Sequence, residues 1–309
     1  MTKSAVYSGI ETFYYDRELT EVTFAKGVTT IGMYAFNGCS SLTAITIPDG
    51  VTSIGGGAFY ECSSLTAITI PGSVTTIEND TFSGCSSLAA ITIPEGVTSI
   101  GDDAFRRCSS LTAITIPDSV TTIGEHAFMR CSSLTAITIP NSVTTIYDGA
   151  FNRCSSLAAI TIPDGVTSIG NYAFCICSSL AAITIPDSVT TIGHQAFWQC
   201  SALTRLSLSP AVSVDHNCFS NCTALNSAAA SQNMSTVEDL LHSRWHRIRE
   251  RVTVLSCLKK LLEDQPRRSD RLKRKRLGGD EVVALQGTVS TAACKRLPKV
   301  MWRVILEFL

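Results

Sequence analysis

Cysteine is the first residue type here with a spacing that could carry chemistry. Cys39, Cys62, Cys85, Cys108, Cys131, Cys154, Cys177 and Cys200 stand 23 residues apart, and Cys222 continues the row. Such a row raises disulfides, metal ligation or packing. Stacked copies would bring equivalent Cα atoms within the roughly 4.4–6.8 Å that a disulfide allows. Yet the total of 13 is odd, and thiols at the period of a repeat are better explained by packing. Cys175-Ile176-Cys177 and Cys218/Cys222 lack the paired second half of a zinc site. The expectation is a buried row acting as small apolar residues with a weak donor.

The histidines add no reaction centre. His242 and His246 have the i, i+4 spacing of a zinc-protease helix, but Ser243 stands where its general base would be. His126, His194 and His216 are isolated, with no recurring acid or nucleophile beside them. The chain is therefore expected to be no enzyme and to hold no cofactor or metal.

One run could recognise acidic surfaces: Arg267, Arg268, Arg271, Lys273, Arg274, Lys275 and Arg276. It reads as a nuclear-import signal, an acidic-partner site or a solvated linker. It contains no aromatic residue to stack on bases, which weighs against nucleic acid. The net charge of −1 hides an asymmetry. Residues 1–230 hold 8 Lys/Arg against 17 Asp/Glu, and residues 231–309 hold 17 against 9. The tail serves another partner or leans on the rest of the chain.

The elements that position these residues are repeats. Residues 1–38 are a worn unit, with Leu19, Val22 and Phe24 in the strand positions and Phe13-Tyr14-Tyr15 expected over the open end of the core. Residues 39–199 are seven near-identical units. In the one beginning at Cys131, Ile137 and Ile139 alternate with Ala136 and Thr138, the period of a strand with one face buried. Pro140 ends that strand because it has no N–H to give. Val143, Ile146, Ala150 and Phe151 return inward. A fixed period in this range marks a solenoid, whose end copies are expected to be atypical. Residues 200–226 are a decayed unit, 227–235 a linker, and 236–309 a basic helical tail opened by the capping box Ser235/Glu238. Met1–Phe13 has no apolar core of a secretory signal, and no stretch reaches membrane-span length. A cytoplasmic or nuclear location without membrane contact is expected.

The string Cys-x-x-Leu-x-x-Ile-x-Ile-Pro-x-x-Val-x-x-Ile-Gly-x-x-Ala-Phe, carried over residues 16–222, resembles the BspA-type leucine-rich repeat. The resemblance implies a leucine-rich-repeat solenoid, mainly β, with one short parallel strand per 23-residue repeat, here with an α-helical C-terminal extension. It also implies a right-handed coil used for binding proteins, and a cysteine that caps the turn into the strand. Relatives include surface antigens and adhesins as well as intracellular proteins. Residues 297–309 resemble the opening helix of an F-box, which would make the chain a substrate adaptor.

Specificity needs variation, and the strand face has almost none: Ala and Thr repeat along it. The slots around Ala-Phe vary. Arg107, Arg130 and Arg153 share one slot in three consecutive units and are expected to stack as a basic ridge, with Asp103 placed to pair locally with Arg107. Tyr147, Tyr172 and Trp198 lie in neighbouring slots. Arginine and aromatic residues are the types enriched at binding hot spots. The expected function is a non-enzymatic protein-protein interaction scaffold. A cell-surface or adhesion role is the alternative.

Overall fold

The computed structural model describes residues 3–209, 212–215 and 217–230. Each 23-residue unit makes one coil. Its Ala-Ile-Thr segment pairs in parallel, in register, with the same segment of the next coil: Ala113 with Ala90, Ile114 with Ile91, Thr115 with Thr92. Six such strands, from Ala44–Thr46 to Ala159–Thr161, form one sheet. The structure adds a second row on another side of the coil, two residues per unit, as where Thr145–Ile146 pairs with Ser168–Ile169. The turn between the rows closes when the Val143 N–H donates to the Pro140 carbonyl at 3.1 Å.

The core follows the alternation. Leu134, Ile137, Ile139, Val143, Ile146, Ala150 and Phe151 are all buried. Phenylalanine forms an unbroken stack from Phe13 to Phe219, with neighbouring centroids 5.2–5.6 Å apart. Because each ring stacks on its counterparts in the adjacent coils, an isolated unit would lack those contacts, and stability accrues by stacking neighbours.

The cysteine row is the backbone's partner. Cys131 Sγ–H donates to the Phe105 carbonyl at 3.1 Å, and the same bond recurs from Cys62 to Phe36 and from Cys200 to Phe174. Burial pushes the Cys85 and Cys131 thiols up to about 12. A thiol so raised stays protonated and remains a donor. The thiols of the row from Cys39 to Cys200 form no disulfide.

At the N-terminal end, strand β1 (Lys3–Tyr7) pairs in parallel with strand β2 (Leu19–Phe24). Phe13 stacks on Phe36 at 5.5 Å, as expected of a cover, but Tyr14 and Tyr15 are exposed. Their place in the core is taken by Tyr7, fully buried against Phe24 and Phe36, whose hydroxyl accepts the Gly32 N–H at 2.8 Å. At the other end, Arg205 pairs with Ala182 but Ser213 with Thr191, so one residue is lost between Ser207 and Ser213. The loss falls in a turn and Phe219 keeps its place in the stack.

Helix α1 (Thr223–Ala230) runs across residue 227, where the linker was expected to begin. Its run of alanines favours helix over a flexible connection. The rest of the expected linker, the tail 236–309, its basic run Arg267–Arg276, His242/His246 and the F-box-like helix lie outside the described residues.

Candidate protein interface

The variable slots sit where each coil turns back toward its strand. In the coil of Phe105 three alternate N–H groups donate forward to the next coil: Asp103 to Glu125, Phe105 to Ala127 and Arg107 to Met129, each at 2.8 Å. Within the coil, Arg106 N–H returns to the Asp103 carbonyl at 3.0 Å and Cys108 N–H to the Phe105 carbonyl at 3.1 Å. A segment that turns tightly while presenting alternate N–H groups to one side cannot stay in the right-handed regions of backbone space. Its first and last ladder residues are left-handed, with φ of 53° at Asp103 and 59° at Arg107.

The pattern repeats. One left-handed column includes Tyr34, Gly57, Asp80, Asp103, His126, Gly149, Tyr172 and Gln195. The other includes Gly38, Glu61, Gly84, Arg107, Arg130, Arg153, Ile176 and Gln199. A side chain with a Cβ in this conformation costs about 1–2 kcal/mol. Glycine avoids that cost. Spacing alone did not reveal the left-handed requirement, although glycine's recurrence at 38, 57, 84 and 149 was a sign of it.

Arg107, Arg130 and Arg153 are all exposed in one column, as their 23-residue spacing requires. Arg130 N–H donates to the Asn152 carbonyl and Arg153 N–H to the Cys175 carbonyl, each at 2.7 Å, so the ladder fixes where the side chains begin. Among the described residues none of the three has an ion-pair partner. The expected Asp103–Arg107 pair is not formed. Asp103 Oδ1 accepts from Arg106 Nη1 at 3.2 Å instead, because the turn puts the residue three positions on beside it. Like charges one coil apart repel, and the described repeats around them carry an acidic excess.

The aromatic candidates do not converge on one slot. Tyr172 is left-handed and exposed, its ring edge-on to His194 at 5.6 Å. Tyr147, also exposed, occupies a slot that glycine fills at 101, 124, 170 and 193. Trp198 is half-buried in the slot between the phenylalanine and the arginine column. On the strand face Ala136 and Thr138 point outward as expected, uniform from coil to coil. Among the described residues no group of three His, Cys, Asp or Glu is placed to hold a metal ion.

A family model described as the BspA type leucine rich repeat region matches residues 8–135 and again 121–248. Among solved structures, the leucine-rich repeat protein of T. pallidum is 31% identical, with 58% of this chain and 78% of that one covered and a TM-score of 0.50. A leucine-rich repeat protein of Eubacterium ventriosum is 25% identical over 67% of this chain and 69% of its own, with a TM-score of 0.53. The pneumococcal vaccine antigen PcpA, 18% identical over 76% and 66%, shares the fold with a TM-score of 0.51. No sequence among curated proteins matches.

Proposed function

The chain belongs to the BspA-type leucine-rich repeat family, a family of repeat scaffolds, and from that premise we propose that it is a protein-binding scaffold whose partner docks on the arginine column Arg107–Arg130–Arg153. One observation carries this reading: three exposed, unpaired guanidinium groups start from backbone positions that disfavour a Cβ and that the ladder holds fixed. Among the described residues no carboxylate pairs directly with any of the three. An acidic protein surface would supply that partner, since a carboxylate meets a guanidinium in a bidentate pair. The uniform threonine row offers shape without distinguishing features. The protonated, unbridged thiols fit a reducing compartment, and an intracellular site of action goes with this reading.

A photo-crosslinking residue at position 152, beside the column, tests it in the full chain. The expected products are adducts to acidic segments of partner proteins, lost when Arg107, Arg130 and Arg153 are all changed to Glu. Equal crosslinking from position 138 on the strand face, unaffected by the charge reversal, would overturn it.

A further inference from the structure

The turn segment that holds Arg107 reads Asp102-Asp103-Ala104-Phe105-Arg106-Arg107, two acids and two bases on either side of a buried pair. The next two coils keep the outer charges, Glu125 with Arg130 and Asp148 with Arg153. In the same two slots the flanking coils carry Asn79 with Gly84 and Asn171 with Ile176. From the coil of Phe13 to that of Phe197, no coil outside these three sets an acid in the first slot against a base in the second. An acidic column and the arginine column therefore border one edge of the array over the same three coils.

Both columns are open to a partner. Asp102, Glu125 and the three arginines are exposed, and Asp148 is half-buried. Among the described residues none of the six has an ion-pair partner. Two of the acids are held in place by the next coil. Asp102 Oδ1 accepts the Glu125 N–H and Asp148 Oδ1 accepts the Asn171 N–H, each at 2.7 Å. An ionised carboxylate has about four acceptor sites, so both keep capacity for a guanidinium.

A second copy brought edge to edge about a two-fold axis parallel to the array exchanges left and right and keeps each coil opposite its own counterpart. Acidic column then faces arginine column on both sides of the axis. The pairs fall in step at every coil because both columns have the 23-residue period. The inner Asp103 and Arg106 exchange in the same way. A slip of one coil would set an acid against Ile176 and an arginine against Asn171, which fixes the register. An unrelated acidic surface would have to match the coil spacing of about 4.8 Å, whereas a second copy matches it automatically.

We propose that this edge is a self-association surface, on which the arginine column meets the acidic column of a second copy of this chain in a parallel two-fold dimer. The proposal rests on the reading that the arginine column binds an acidic protein surface, and it names that surface. A polar contact over three coils is small, so the dimer belongs to the weak, reversible class.

Sedimentation equilibrium of the full chain under reductant tests it. At about 100 µM the chain should populate dimer in about 20 mM salt and only monomer in about 0.5 M salt, where the screening length falls below about 5 Å. Changing Arg107, Arg130 and Arg153 to Glu should weaken the dimer by about tenfold or more. So should Asp102→Asn combined with Glu125→Lys and Asp148→Asn, in which the asparagines keep the Oδ1 bonds to the next coil. An equimolar mixture of the two variants should associate more tightly than either alone, because it sets acids against bases again, and misfolding cannot produce that rescue. A mixture no tighter than its components would overturn the proposal. So would association retained in the folded arginine variant, as expected if the basic tail carried it. A chain monomeric at low salt that still crosslinks from position 152 to other acidic proteins would overturn the dimer and leave the arginine-column reading standing, so the two failures are told apart.

Discussion

Asp103 Oδ1 accepts a hydrogen bond from Arg106 Nη1 at 3.2 Å, which leaves the adjacent Arg107 exposed without a carboxylate. Two neighbouring arginines of identical charge thus have different work, one tied down within its own turn and one presented outward.

The first prediction separates them. Asp103→Asn weakens the Arg106 contact and leaves Arg107 as it was, so crosslinking from position 152 should stay within about twofold of the parent. A half-exposed pair of this kind contributes about 0–1 kcal/mol, so the melting temperature should barely move. Arg107→Glu should lower crosslinking severalfold. If Asp103→Asn lowers it as much, the ridge is organised by that carboxylate and the assignment of Arg107 is wrong.

The left-handed column makes a second prediction, in which stability and binding move in opposite directions. Arg130 has φ of 64°, and Gly38 and Gly84 fill the same slot in other coils. Arg130→Gly should therefore stabilise the array by about 1 kcal/mol, seen as a higher denaturation midpoint, while partner crosslinking falls. Arg130→Ala keeps the Cβ and should lose crosslinking without the gain in stability. Equal stability of the two variants would mean that the conformation costs nothing.

The other column gives a pair that can be dissected. A Cβ on Gly149, where φ is 61°, would lie 2.2 Å from His126 Cδ2. Gly149→Ala should destabilise by about 1–3 kcal/mol, the sum of backbone strain and the collision. Adding His126→Ala removes the collision and should recover part of the loss, with about 1 kcal/mol remaining from the backbone alone. Purely additive effects of the two changes in chemical denaturation would show that the imidazole is not held against Gly149.

These pairs mark what the sequence could and could not show. Leu134, Ile137, Val143 and Phe151 announce the coil because burial enforces their period directly, and the arginine ridge follows from position alone. The second bridge row at Thr145–Ile146 is too short to leave an alternating signature. Asp103 choosing Arg106 depends on a left-handed turn, which a helix-style spacing rule does not describe. Tyr7 was missed because β1 and β2 pair at an offset of 17 residues rather than 23, which takes it out of the repeat's register. In each case the missing information is a backbone conformation, not a residue preference.

An acid-sensitive contact sits in the first coil. Glu11 accepts from the Ser8 hydroxyl at 2.5 Å and the Ser8 N–H at 2.6 Å, and these bonds hold its carboxyl down to about 2. A carboxyl lowered on folding contributes stability that is complete above its unfolded value of about 4.3 and lost as pH falls through the folded one. The Ser8 amide should exchange faster with solvent, relative to the Tyr7 amide, as pH drops from about 4.5 to 2. In Glu11→Gln that differential should vanish. A Ser8 amide equally protected across this range would remove the contact from the account.

The thiols provide the last prediction. Alkylation needs the thiolate, and burial holds Cys85 and Cys131 at about 12, far above the ordinary thiol. Cys175 is less deeply buried, so burial raises it only to about 11, and the Arg153 guanidinium opposes part of that rise. Iodoacetamide at pH 8, followed by peptide mapping, should leave Cys62 to Cys200 of the repeat row unmodified in the native protein. Cys175 should react first among the described cysteines, and all should react in denaturant. Arg153→Glu should slow Cys175 without changing Cys131, since it removes the positive charge that favours the thiolate. Native labelling of Cys131 ahead of Cys175 would mean that the row opens locally, and the thiol-to-carbonyl bond to Phe105 could not then be a fixed part of the coil.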